Sequence, residues 1–301
     1  MAKAFSEKSK SGFREDGRLA LPNSLHRISR AQYYGETVLL TCRIGRERPH
    51  AARMLVDLLA EVKYKRKSLL LLGPPGVGKT VLLRSVAYLL SVELEMGCGV
   101  MVVDTSNEIA GEGAQPHHCI GSARRRPVQS RDRQYDDLLK AVQNDNPDVV
   151  IVDEISNSQE ASSAQTISRR GVRLVATAHG SELSDLMKNP ALSCLVGGIQ
   201  SVTLGDEAVR DLEKRRQCKV KKTQLERAGA PVFDILVELK DQDHMIVHRD
   251  VAKVVSSKLS GDPYSFEERK RRFRARPPFE EVFVSKHTCC SETHGVHFDH
   301  E

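Results

Sequence analysis

SLLLLGPPGVGKT, residues 68–80, is a short apolar run that ends in a glycine-rich turn. Gly73, Pro74, Pro75, Gly76, Val77, Gly78, Lys79 and Thr80 fit the pattern G-x-x-x-x-G-K-[ST]. Glycines at these spacings let backbone N–H groups turn inward around phosphate oxygens, and a following helix aims its positive dipole end at the same anion. The pattern requires a strand before it and a helix after it. Ser68–Leu72 and Lys79–Leu90 have those compositions. The reading is therefore a nucleoside triphosphate site. Lys79 reaches the β- and γ-phosphates, and the Thr80 hydroxyl ligates Mg²⁺.

About 70 residues on, VVIVDE (149–154) is a second buried strand that ends in two acids. The C-terminal edge of an open α/β sheet is where its loops hold ligands. Asp153 is read as the Mg²⁺ ligand, and Glu154 as the base that orients or deprotonates the attacking water. Two more strand ends point to the same edge. Val100–Val103 leads into Asp104 and Glu108; Leu174–Ala176 leads into Thr177 and His179. Thr177 or His179 is a candidate γ-phosphate sensor, and Asp104 or Glu108 a further contact to metal or water. Arg124, Arg125 and Arg126 lie with Arg131 and Arg133 in the polar loop before the third helix. One of them, with Arg125 as the choice, is a candidate arginine finger for a neighbouring subunit.

Working outward, strands and helices alternate from 68 to 204, which implies a mostly parallel sheet covered on both faces. The expected strands are 68–72, 99–104, 149–152, 172–177 and 198–204. The expected helices are 79–90, 132–144, 158–170 and 181–188. Before them, 25–45 reads as two short strands around a turn at 32–36, and 49–62 as a helix. After them, 232–239 and 245–248 read as a hairpin and 250–259 as a closing helix. The expected domains are a disordered 1–23, an N-terminal β/helix segment at 24–62, a P-loop domain at 63–260 and a flexible tail at 261–301.

Composition narrows the function classes. Aromatics make up 5% of the chain and Trp is absent, which argues against a base-stacking platform. The net charge of +6 is too mild to identify a polyanion binder. Seven cysteines at irregular spacing suggest a reducing compartment. No run approaches the ~20 apolar residues of a membrane span, and the first residues lack the apolar core of a secretory signal.

Longer stretches carry a family resemblance. LHRISR (25–30), TCRIGR (41–46), GPPGVGKT, VVDTSNEIAGEG (102–113), IGSARRR (120–126), VVIVDEI, ATAHG (176–180) and NPALSCLVGGIQSVTLGDEAVR (189–210) occur in order, followed by FDILVEL and HRDVA. Over about Ser24–Leu259 the chain resembles the plastid and cyanobacterial open-reading-frame ATPases related to stage III sporulation protein AA. These are AAA-type and similar to secretion ATPases. The resemblance implies a RecA-like P-loop core that uses ATP and Mg²⁺. It also implies homo-oligomers, with a hexameric ring as the usual form, and a plastid location, with the cytoplasm as the alternative. It places Glu108 in an acidic box and His179 in a histidine box. Ile155-Ser156-Asn157-Ser158 departs from the family's usual Gly-Thr-Glu after the isoleucine. Longer relatives carry an extra N-terminal domain or a C-terminal nucleic-acid module, and 301 residues are expected to leave room for neither.

Two basic runs offer another reading. Arg210–Lys222 holds seven Lys/Arg against two acids, and Arg269–Arg276 holds six Lys/Arg. Either is a candidate phosphate-backbone contact, so a nucleotide-gated nucleic-acid tether is the alternative to a hydrolase. A small-molecule kinase is disfavoured, because Glu154 suits water. The end of the chain gathers His287, Cys289, Cys290, His294, His297 and His300, which are zinc-type donors at a spacing that matches no finger.

Overall fold

The computed structural model describes residues 12–13, 17–21, 24–105, 107–111, 115–128, 134–216, 222–273 and 280–289. Along the chain come strands β1 (Arg18–Ala20), β2 (Arg27–Tyr33) and β3 (Glu36–Arg43), then helix α1 (Val56–Tyr64). β4 (Leu69–Leu72) precedes α2 (Lys79–Tyr88); β5 (Val100–Asp104) and β6 (Arg124–Pro127) precede α3 (Gln134–Asp145). β7 (Val149–Ile155), α4 (Ser158–Arg169), β8 (Arg173–Ala178), α5 (Leu183–Lys188) and β9 (Ile199–Thr203) follow. The chain continues through α6 (Asp206–Arg216), β10 (Thr223–Arg227), β11 (Ile235–Leu239), β12 (His244–His248), α7 (Val251–Ser260), β13 (Tyr264–Phe273) and β14 (Glu280–Cys289).

The chain divides into two compact units. The first comprises Met1–Lys67, Gly78–Ile155 and Thr166–Ala178. Its core sheet has the order β8-β7-β5-β6, with every pairing parallel. Val149–Val152 and Val100–Val103 are buried, as continuous apolar strands must be when both faces are covered. β1, β2 and β3 form a separate antiparallel sheet. Its first strand lies inside the segment expected to be disordered. Leu19 is 1% exposed, and the Arg30 N–H donates to the Gly17 carbonyl. That burial holds a short stretch which the polar composition of 1–23 conceals.

The second unit comprises Ser68–Val77, Ser156–Gln165 and His179–Glu301. Its sheet has the order β14-β13-β12-β11-β4. β4 and β11 are parallel, and all four leucines of β4 are buried. β9 was expected in the main sheet but pairs antiparallel with β10 in a two-stranded ribbon. Its five residues are intermediate or exposed, so it lacks the burial that a central strand requires.

The expected flexible tail is instead two ten-residue strands, β13 and β14. Charged residues on the inward face of β13 hid it from pattern reading. Arg269 is 2% exposed, with its guanidinium 2.8 Å from Glu267, and Glu267 also takes Arg249 at 2.6 Å. Buried charges persist only when paired in this way. Arg274, Arg276, Cys290, His294, His297 and His300 lie outside the described residues.

Candidate functional site

The end of β4 passes into the glycine-rich turn. A Cβ on Gly73 would stand 3.0 Å from the Leu239 backbone oxygen and side chain, so only glycine fits that approach. The Gly73 N–H donates to the Gly180 carbonyl at 3.0 Å. Pro75 and Gly76 are exposed, and the Val77 N–H closes a turn onto the Pro74 carbonyl. Gly78 sits at φ +105 with open space around it, so it is needed for its backbone angle. Its carbonyl accepts the Leu82 N–H and starts α2, which puts Lys79 and Thr80 in the first turn.

The first unit brings these two residues to the acids of β7. Register along β7 and β8 slips between Val152 and Glu154, which leaves Asp153 out of the ladder's residue pairing. A bulge of this kind re-aims side chains at a strand end. Thr80 Oγ1 lies 3.4 Å from Asp153 Oδ1. Burial lowers the Lys79 ammonium from its ordinary range, opposed by the charges of Glu154 and Asp153. Asp153 is pushed up to about 7, first by burial and then by the charges of Asp104, Glu108 and Glu154. Asp153 thus stands in the field of three other acids, 3.4 Å from the Thr80 hydroxyl. Excess negative charge around oxygen donors is what a hard divalent cation compensates, so the donor set fits Mg²⁺.

Asp104 has a different job from the one expected of it. It is fully buried, and its carboxylate accepts N–H groups from Glu108, Ile109 and Ala110 at 3.0, 3.1 and 2.8 Å. It shapes the turn that carries Glu108 and is used up in doing so. Two arginines missed in the sequence complete that turn. Arg84 of α2 donates from Nε and Nη2 to the Glu108 carbonyl and from Nη1 to the Arg46 carbonyl. Arg27 of β2 makes an ion pair with the Glu108 carboxylate. The available signal for Arg84 was its place within LLRSVA (82–87), a run that is otherwise apolar or small.

Thr177 is 1% exposed, and its hydroxyl donates to the Asp153 backbone carbonyl. It ties β8 to β7 and has no surface to offer a phosphate. His179, one residue past β8, is exposed in the second unit.

The arginines expected in a loop form β6, parallel to β5. Alternating contacts explain why three charges can lie in a strand. Arg124 donates to the Cys98 and Asp145 carbonyls, Arg125 to the Gly111 carbonyl, and Arg126 pairs with Asp145 at 2.6 Å. Arg131 and Arg133 lie outside the described residues.

Glu47, His117 and His118 form a separate trio. Glu47 stands 3.4 Å from His117 Nε2 and 2.9 Å from His118 Nε2. The Cys119 N–H donates to His117 Nδ1, so the neutral ring carries its proton on Nε2, facing Glu47. That tautomer makes His117 a donor to Glu47 rather than a metal ligand.

Residues 25–210 match the family described as sporulation stage III, protein AA. The chain belongs to that family. It is 45% identical to the ycf45 protein of Porphyra purpurea over 250 residues, 83% of this chain and 42% of that protein. It is 44% identical to the protein SEEDLING PLASTID DEVELOPMENT 1 of Arabidopsis thaliana over 261 residues, 86% of this chain and 36% of that protein. The chain therefore spans less than half the length of these two relatives. Among solved structures, the Yersinia pseudotuberculosis ATPase DotB is similar at a TM-score of 0.44 and 11% identity, over 81% of this chain and 62% of that chain. Family membership and the approach of Thr80 to Asp153 agree on a P-loop fold.

Proposed function

We propose that this member of the sporulation stage III protein AA family binds ATP with Mg²⁺ at Gly73–Thr80 and hydrolyses it. The observation that carries the reading is the approach of Thr80 to Asp153, with Lys79 and Glu154 beside them. Gly73, Pro74, Pro75, Gly76, Val77 and Gly78 supply the phosphate loop, and Lys79 neutralises phosphate charge. Thr80 and Asp153 hold the magnesium ion. When bound, magnesium offsets the charge on phosphate oxygens that phosphoryl transfer increases. Glu154 accepts the proton of the attacking water. His179 contacts the γ-phosphate, and Arg125, released from Gly111, is the finger offered to a neighbouring copy. The choice of ATP over GTP rests on the resemblance to the family's ATPases.

A homo-oligomeric ring is the working form in this reading, because an arginine finger acts across a subunit boundary. A plastid location is supported by the name of the Arabidopsis relative. The nucleic-acid tether is the weaker reading, since Arg269, Lys270 and Arg271 are committed to acids of the same unit.

The test is ATP turnover by the purified chain with Mg²⁺, for wild type and Glu154→Gln. Light scattering with and without Mg·ATP reads assembly in the same samples. Turnover no higher in assembled wild type than in the variant would refute the hydrolase reading.

A further inference from the structure

β14 ends the second unit's sheet. All ten of its residues pair with β13, from Cys289↔Tyr264 to Glu280↔Phe273, and among the described residues no strand pairs with its other edge. Val282, Phe283 and Val284 are 41%, 46% and 53% exposed. Successive residues of a strand point to opposite faces, so this edge shows apolar surface on both. The Arg272 guanidinium lies 5.0 Å from the centre of the Phe283 ring, which holds the ring in place at the surface. Natural edges are normally blunted by central charges, prolines or bulges. Here the charged or polar residues, Glu281, Ser285 and Lys286, flank an apolar centre instead.

We propose that β14 pairs antiparallel with β14 of a second copy, about a two-fold axis centred on Phe283. The residue pattern chooses both the partner and the register. A two-fold axis normal to the sheet sets each residue opposite one at an equal distance from the centre, on the same face. Centred on Phe283, the two phenylalanines oppose each other, and Val282 opposes Val284 of the second copy twice. Each neighbouring centre is worse. On Val282, Phe283 meets Glu281. On Val284, Phe283 meets Ser285 and Val282 meets Lys286. On Ser285, Phe283 meets His287 and Val284 meets Lys286. Matched apolar cross-strand pairs stabilise a ladder, and apolar–charged pairs do not. The strand is thus self-complementary in one register, which is the signature of an isologous contact.

The experiment is sedimentation velocity of the full chain without nucleotide or magnesium. The expected mass is twice that of one 33.5 kDa chain. The double substitution Val282→Glu with Val284→Glu should halve it. It sets like charges together across the axis, while within the hairpin the new acids face Arg271 and Arg269. Circular dichroism should be unchanged, which separates lost pairing from lost folding. Separately, Phe283→Cys under oxidation should give a covalent dimer that the parent, treated alike, does not. A monomeric wild type, a mass unmoved by the double substitution, or no new covalent dimer overturns the proposal. A monomer whose β14 amides resist hydrogen exchange also overturns it, because a segment of the same chain then covers the edge. Lys79→Ala should keep this dimer while losing any nucleotide-dependent assembly, so this proposal and the ring reading fail separately.

Discussion

The Thr80 hydroxyl stands 3.4 Å from the Asp153 carboxylate, although the residues are 73 positions apart. If these two oxygens hold magnesium as proposed, nucleotide affinity depends on that ion. Chelation by EDTA should then lower ATP affinity in calorimetry. Asp153→Asn and Thr80→Val should remove most of that magnesium dependence. Equal ATP affinity with and without EDTA in wild type would contradict the assignment.

Glu154 lies next to Asp153 on β7 and acts electrostatically on Lys79. Glu154→Gln removes the proposed proton acceptor but keeps the shape. Turnover should fall about 10²–10⁴-fold, the usual worth of a positioned general base. ATP affinity should change little, since the phosphate loop is intact. A parallel loss of binding would point to a structural part for Glu154.

Asp104 satisfies three backbone donors with one carboxylate. Asp104→Ala should destabilise the fold by on the order of 3 kcal/mol, because buried N–H groups lose their acceptor. Urea unfolding measures this. Asp104→Asn keeps one acceptor oxygen and should cost less. A change below about 1 kcal/mol for the alanine variant would show that other acceptors reach the turn.

Glu238 of β11 is 6% exposed. Burial works against its charge, but hydrogen bonds from His248 and the Leu183 N–H, with the charges of His248 and Lys240, hold it down at about 2. Its folded value is thus below the ordinary 4.5. The stabilisation is present above about 4.5 and is lost as pH falls toward 2. It is on the order of 3 kcal/mol. Thermal melts of wild type should drop more steeply across that window than those of Glu238→Gln. Parallel curves would refute the assignment.

Legibility followed burial pattern. β4 and the first four residues of β7 are continuous apolar runs, and the expected strands at 68–72 and 149–152 match them closely. α2 and α7 also follow their expected spans, with Gly78 and Gly261 in left-handed conformation at their ends. β6 and β13 were not legible because their residues are mainly arginine, lysine and glutamate. Their charges are satisfied partly by groups on other segments, such as the Gly111 carbonyl for Arg125 and Arg249 for Glu267, and partly by neighbours on the same strand, such as Glu267 for Arg269. The roles of Asp104 and Thr177 were misread for a related reason. Both are polar residues at strand ends, and burial spends their hydrogen-bonding groups on backbone.

Local sequence determined Gly73–Thr80, the acidic pair and the α/β alternation, because backbone angles, apolar period and motif chemistry act over a few residues. Only tertiary structure decided which acid meets Thr80 and that β13 and β14 extend a sheet. Those outcomes depend on partners tens of residues away, whose charges and hydrogen bonds come together only when the chain has folded.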